Sequence, residues 1–385
     1  MKGRKLLMIP GPIEFTPEVL SAMAKPTTSH VSPEFLECFG DSLDMMLDVF
    51  MADEYEPFVL PGSGTLAMDA AAVNLLEPGD RVLVVNSGYF GDRMNDILQT
   101  YGVKSDNLDS DVGDISSPEQ VKNALQKQDY KALAVTQVDT STGVLADIQG
   151  ICQVAKDAGC LTIVDGVCGT AGAECRSREW GVDVYLTASQ KAIGTPPGLA
   201  LLTVSPEAMD VFYNRQTPVS NYYADFDNWL PIMHAYRKRE ASYFGTPPVN
   251  LLYALHVSLE QILAEGMDSR FARHRKLARA FRAGTKAIGL EGVPVSDDLA
   301  APTLSALYYP EGVDSKLVSA ISDEGVMVAG GLHGEIKDRY FRVGHMGAHN
   351  KSDIIATVGA IERALEQVGH DFDFGEGAAA AENLL

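Results

Sequence analysis

Cysteine is scarce in this sequence and nothing about its placement suggests pairing. The five cysteines, at 38, 152, 160, 168 and 175, are odd in number and form no C-x-x-C. That argues against a disulfide framework or a zinc ribbon and for reduced thiols in a cytoplasmic protein. Basic residues are also in deficit. Only 31 Lys and Arg stand against 52 Asp and Glu, a net charge of −21. A surface so acidic repels phosphate backbones and anionic lipid, so neither nucleic acid nor a membrane is an expected partner. Long apolar runs are missing too. The basic start Met1–Lys5 leads into only Leu6–Ile9 before Pro10-Gly11-Pro12, too short for a signal peptide, and the uncharged run Ala192–Pro206 is broken by three prolines.

What remains is a soluble globular composition, 46% hydrophobic over 385 residues, enough for one large and one smaller domain. Short, mainly apolar runs recur through the first two thirds: Arg81–Val85, Ala132–Thr136, Leu161–Val164, Val182–Leu186 and Leu199–Val204. Such runs predict strands covered on both faces. Helical patterns between them, such as Ile148–Ala158, predict βαβ units and a mostly parallel sheet, an α/β fold. From about residue 250 the texture changes. Two long helices are predicted over Val249–Gly266 and Met267–Ile288, then short strands near Leu304–Tyr309, Val326–Ala329 and Tyr340–Val343. On the second helix Leu277, Phe281 and Ile288 share one face and Arg275, Lys276, Arg279 and Arg282 the other, which reads as a solvated surface. Asp371–Leu385 is acidic and rich in Gly and Ala, and is expected to fray.

Ligands of open parallel sheets bind beyond the carboxyl ends of the strands. Asp165 ends one predicted strand, and Thr187-Ala-Ser-Gln-Lys191 follows another. Gly62-Ser63-Gly64-Thr65 precedes a helix, where free N–H groups and the helix dipole suit a phosphate. Each has an ordinary reading: Lys191 as a snorkelling lysine, Asp165 and the Gly62 turn as helix caps. Gly62-x-Gly64-x-x-Ala67 also fits a loose dinucleotide pattern, so an NAD-dependent dehydrogenase is a rival. Together, a phosphate cradle, a strand-end Asp and a strand-end Lys are what pyridoxal phosphate requires. The lysine forms the Schiff base, the aspartate keeps a proton on the ring nitrogen, and the helix end takes the phosphate.

With those residues in view, the chain resembles the class V (fold type I) aminotransferases, most of all the alanine–glyoxylate and serine–pyruvate branch. The likeness rests on Pro10-Gly11-Pro12, Gly62-Ser-Gly-Thr65, Asp139-Thr-Ser-Thr-Gly-Val-Leu145, Val164-Asp165, Ser189-Gln190-Lys191, Tyr243-Phe-Gly-Thr-Pro-Pro248, Arg342-Val-Gly344 and His345-Met346-Gly347. It implies a large cofactor-binding domain (21–258) with a seven-stranded type of sheet between helices. It also implies a smaller C-terminal α/β domain (259–370), a tail (371–385) and an N-terminal segment (1–20) crossing near the site. Lys191 and Asp165 would be catalytic. Ser63, Gly64, Thr65 and Gln190 would hold the phosphate, Phe90 would stack on the ring where relatives often have Trp, and Thr140 would stand at the ring hydroxyl. Tyr243 and Thr246 would reach the phosphate in the other subunit of a homodimer. Arg342 would clamp the substrate carboxylate, with Gly11 beside the substrate. The implied reaction is ping-pong transfer of the amino group of L-alanine to glyoxylate, giving pyruvate and glycine, with serine as the in-family rival donor. A lyase or desulfurase of the same fold is disfavoured, because no cysteine follows residue 175.

Overall fold

The computed structural model describes residues 5–385; Met1–Arg4, and with them most of the basic start, lie outside the described residues. Local sequence sets many of the helix starts. Four helices open on Ser/Thr-Pro-Glu, at Thr16, Ser32, Ser117 and Ser205. In each the hydroxyl accepts a first-turn N–H, the proline supplies a fixed helical φ, and the glutamate faces the positive end of the dipole.

The main sheet has seven strands: β1 (Glu56–Pro61), β2 (Arg81–Asn86), β3 (Lys104–Asp109), β4 (Ala132–Thr136), β5 (Leu161–Asp165), β6 (Val184–Ala188) and β7 (Leu199–Val204). Their order is β1-β7-β6-β5-β4-β2-β3. Only β7 runs against the rest, pairing antiparallel with both neighbours, while β3-β2-β4-β5-β6 are parallel. The carboxyl ends of six strands therefore meet along one edge. The central strands are buried on every residue, the pattern that an all-apolar run requires. Helix α1 (Gly64–Leu75) lies over β6 and β7. Its buried Ala67, Ala70, Ala71 and Ala72 give it no bulk to hold it away from the sheet.

The predicted strand Val182–Leu186 is displaced by two residues. Asp183 is turned inward, where its carboxylate takes the Thr162 N–H at 2.8 Å and the Ser205 hydroxyl at 2.9 Å, and the ladder starts one residue later. Strands β1 and β3 were not predicted.

Helices α3 (Val249–Glu265) and α4 (Met267–Ala287) lead to the second unit. Its three-stranded antiparallel sheet is built from β8 (Leu304–Tyr308), β9 (Ala329–Gly330) and β10 (Tyr340–Gly344), in the order β8-β10-β9. Its Phe341 and Val343 share an apolar cluster with Ile354, Val358 and Ile361 of α5 (Lys351–Gln367). Two main apolar cores result. The larger includes Leu259, Ile262, Met267 and Phe271; the smaller begins at Leu277 and Phe281 and takes in Met8, Phe341 and Ile361. The changeover between these two clusters falls inside α4. The expected frayed tail is instead ordered. Glu376–Glu382 forms helix α6, packed on α4 and α5 with Gly377 and Ala381 buried. Small residues there allow the close approach that an acidic Gly/Ala stretch does not advertise.

Leu6–Leu7 pairs in parallel with Val326–Met327 of the smaller unit. The segment then passes over Gly344, whose missing Cβ leaves room for the backbone of Ile9 and Pro10. Cys152, Cys160, Cys168 and Cys175 are buried and Cys38 is partly so, all as free thiols. No helix among the described residues is long and apolar enough to cross a membrane.

Candidate active site

Lys191 follows β6 by three residues and is 9% exposed. Its Nζ donates to the Pro10 carbonyl, so the N-terminal segment lies directly on the lysine. Gly11 makes this possible. A Cβ there would stand 2.7 Å from Nζ and 2.6 Å from Cδ, and its φ of +124° is itself one that side chains avoid. Burial pulls the Lys191 pKa below that of a free lysine; Cys168 and Asp165 oppose this and Arg342 adds to it. A desolvated amine is more readily neutral, and a neutral amine is a nucleophile and a base. The backbone beside it is anchored by Arg270, a buried guanidinium that donates to Ala192 O at 2.7 Å, Ala171 O at 2.8 Å and Glu265 at 2.8 Å.

Asp165 is the last residue of β5 and is 2% exposed. Burial pushes its carboxyl up to about 6. The Val167 N–H, 2.8 Å away, works against that shift, as do Arg93 and Lys191, while Asp139 adds to it. A carboxylate held in this way gains from any cation brought against it.

Ser63 opens α1 with its carbonyl, which receives the Leu66 N–H at 2.9 Å, but its hydroxyl makes no capping bond. The hydroxyl and the N–H groups of Gly64 and Thr65 are thus left to face an anion. Gly64 packs against Val167, where a Cβ would come within 2.8 Å of a methyl, so the cradle sits next to the Asp165 turn. Gln190 Oε1 is buried without a partner. Phe90 is in the first turn of α2 (Tyr89–Thr100), which follows β2. Arg93, on the same helix, stacks its guanidinium 4.8 Å from the Phe90 ring centroid and donates to Thr65 Oγ1 at 3.2 Å.

Thr140 is buried beyond β4, and its carbonyl accepts Arg342 Nη1 at 3.2 Å. Arg342 lies on β10 and gives its Nε–H to Gly330 O at 2.9 Å. Two of its five N–H groups are thereby used to aim the remaining fork. Tyr243 and Thr246 are not part of this constellation within one chain. They are exposed, with hydroxyls 3.4 Å apart.

Three further contributors were not foreseen. The Pro10 carbonyl is a main-chain atom with no sequence signature. Arg93 is one turn past Phe90 on the same helix face, a spacing that could have raised it. The Asp139 carboxylate, fully buried, was visible only as part of a motif.

The dinucleotide reading fails on topology. The strand before Gly62 is at the sheet edge and bonds only to the reversed β7, whereas that fingerprint belongs after a strand inside a parallel βαβ unit. Pyridoxal phosphate fits the residues present. There is an open helix N-terminus for the phosphate, a buried anion for a protonated ring nitrogen, an aromatic ring at the head of α2, and a desolvated amine.

The comparisons agree. Residues 22–349 match the aminotransferase class-V family. The chain is 39% identical to alanine–glyoxylate aminotransferase 1 of Saccharomyces cerevisiae, covering 90% of this chain and 93% of that one. It is 32% identical to a serine–glyoxylate aminotransferase of Hyphomicrobium methylovorum (97% and 93%) and 31% to an L-aspartate–glyoxylate aminotransferase of Paracoccus denitrificans (99% and 96%). A solved alanine–glyoxylate aminotransferase from Nostoc sp. superimposes with a TM-score of 0.88 at 32% identity, covering 95% of this chain and 96% of the other. An amine, a carboxylate and an uncapped helix N-terminus on one sheet edge, with this family match over most of the length, place the chain in the class V aminotransferases, fold type I enzymes that work with pyridoxal phosphate.

Proposed function

We propose that the enzyme transfers the amino group of L-alanine to glyoxylate, forming pyruvate and glycine. The observation that carries the reading is the convergence of a buried lysine, a buried aspartate and an aimed arginine at one end of the sheet. When bound, pyridoxal phosphate supplies an electron sink conjugated to the substrate's α-carbon. The chain does the rest. Ser63, Gly64, Thr65 and Gln190 hold the phosphate, Phe90 covers the ring, and Thr140 stands beside the ring hydroxyl. Asp165 keeps a proton on the ring nitrogen. Lys191 Nζ, the amine that would anchor the cofactor, would take the α-proton of the substrate as a base and later give it up as an acid. Arg342 fixes the carboxylate and thus which α-substituent faces the lysine. The segment around Gly11 keeps bulk and water away from that face. Tyr243 and Thr246, exposed and adjacent, serve the phosphate of a second copy in a homodimer.

Alanine is preferred because the residues against the lysine are Pro10 and Gly11, and because a relative of that name shares 39% identity. The test is a panel of alanine, serine, aspartate and glutamate against glyoxylate and pyruvate, read as kcat/KM. Alanine with glyoxylate is expected to rank first. Serine should follow within about 100-fold, since an apolar pocket rejects an added hydroxyl weakly. Aspartate ranking first would overturn the pair while leaving the aminotransferase intact.

Arg342→Ala should raise the KM for amino donors roughly 100-fold, the scale of losing two charge-assisted bonds, and change kcat far less. An unchanged KM would mean that the carboxylate is held elsewhere.

A further inference from the structure

Helix α2 carries Phe90 in its first turn, yet its own N-cap, Gly88, supplies no side-chain capping bond. The first N–H groups of such a helix need partners. Here they come from a different loop, about fifty residues on. Asp139 Oδ2 accepts the Phe90 N–H at 3.0 Å, and Ser141 Oγ accepts the Tyr89 N–H at 3.1 Å. The other carboxylate oxygen, Oδ1, takes the Ser141 N–H at 2.8 Å and the Ser141 hydroxyl. Asp139 has no exposed surface. Gly88 allows the approach, since a Cβ there would fall 2.8 Å from Asp139 Oδ1 and 2.5 Å from Ser141 Oγ.

The loop that supplies these caps is also tied to β10 of the smaller unit. Its Thr140 carbonyl aims Arg342, and its Ser141 carbonyl accepts the Tyr340 hydroxyl of β10. The aromatic plate is therefore not held by its own helix. It is tied through one buried carboxylate to the loop that stands beside the ring hydroxyl.

We propose that Asp139 is a positioning residue for the cofactor: by capping α2 in trans it sets the height and tilt of the Phe90 ring against the pyridine. The inference rests on the reading of Phe90 as the stacking plate. The side-chain hydrogen bonds of Asp139 go to the Phe90 N–H and to Ser141, which gives it a hold on the plate and on its own loop. A purely structural cap would lower stability without regard to Phe90, whereas a positioning residue must act through it.

The test is a double-mutant cycle read as the dissociation constant of pyridoxal phosphate for the apoprotein, followed by absorbance titration. Phe90→Ala should weaken binding up to about tenfold, the range of a good aromatic stack. Asp139→Ala alone should weaken it by a similar factor. In the Phe90→Ala background, adding Asp139→Ala should cost no more than about twofold, because no ring remains to be set. If Asp139→Ala does not fold, Asp139→Asn, which keeps the shape and loses the charge, runs the same cycle with a smaller single effect. If Phe90→Ala leaves the affinity unchanged, the plate reading itself is wrong. If Phe90→Ala weakens binding but the Asp139 substitution multiplies in full on top of it, Phe90 stands and the role proposed for Asp139 falls.

Discussion

Lys191→Ala is expected to lower kcat by at least about 10⁴-fold, the upper end of what one positioned acid–base group contributes, because the same amine is also the point of covalent attachment. The structure says why no neighbour can substitute. The amine is buried, lowered in pKa by that burial, and held at the Pro10 carbonyl by a segment that leaves space only because residue 11 is glycine. The cradle at Ser63–Thr65 and the carboxylate of Asp165 are untouched by the substitution, so the cofactor should still bind, more weakly and without a covalent link. Borohydride reduction followed by peptide mapping checks both halves. The label should be on Lys191 in the parent enzyme and nowhere in the variant. A label on another lysine, or normal turnover without Lys191, would remove the central assignment.

Asp165→Asn should reduce kcat/KM by roughly 10²- to 10⁴-fold, corresponding to about 3–5 kcal/mol for breaking a buried charge pair. Asn keeps the hydrogen bond from Val167 and the volume, so the loss reports the charge. The apoprotein offers a second readout with a definite sign. Burial raises the folded-state pKa of Asp165 to about 6, from 3.8 for an ordinary aspartate. Between those values the folded state binds more protons than the unfolded one. Stability of the apoprotein is therefore greatest below pH 4 as far as this group is concerned, and is lost as pH rises toward 6. The total is on the order of 3 kcal/mol for a shift of two units. Above pH 6 apo Asp165→Asn should be more stable than the parent in urea unfolding, and the difference should shrink toward pH 4. Pyridoxal phosphate, with its protonated ring nitrogen, should reverse the order at neutral pH. A difference that does not vary with pH would show that Asp165 is not held at high energy.

Much of the large unit was legible because its central strands are mainly apolar. Ala132–Thr136 and Leu199–Val204 were bounded as observed. β3 was not, for a physical reason. Lys-Ser-Asp-Asn-Leu-Asp has no apolar pattern and is a strand only because β2 offers it a ladder at the sheet edge. β1 escaped because prolines at 57 and 61 demote a run, and here the edge position tolerates them. At the site, Lys191 and Asp165 were readable as charged residues at the ends of buried strands. Arg342 is in mid-strand in the other unit, and only likeness to a known family could raise it. The Pro10 carbonyl and the hold of Asp139 on Phe90 depend on which loops meet in space, and no spacing along the chain encodes that.

The burial of four of the five thiols has a practical consequence. Among the cysteines only Cys38 is partly accessible, and burial pushes its pKa, like that of Cys152, up to about 12. Thiolate is the reactive form, so a maleimide or iodoacetamide reagent should find almost nothing to alkylate while the chain is native. The number of adducts acquired per molecule, weighed by mass spectrometry, then becomes an internal gauge of how often the sheet opens and which strands open first.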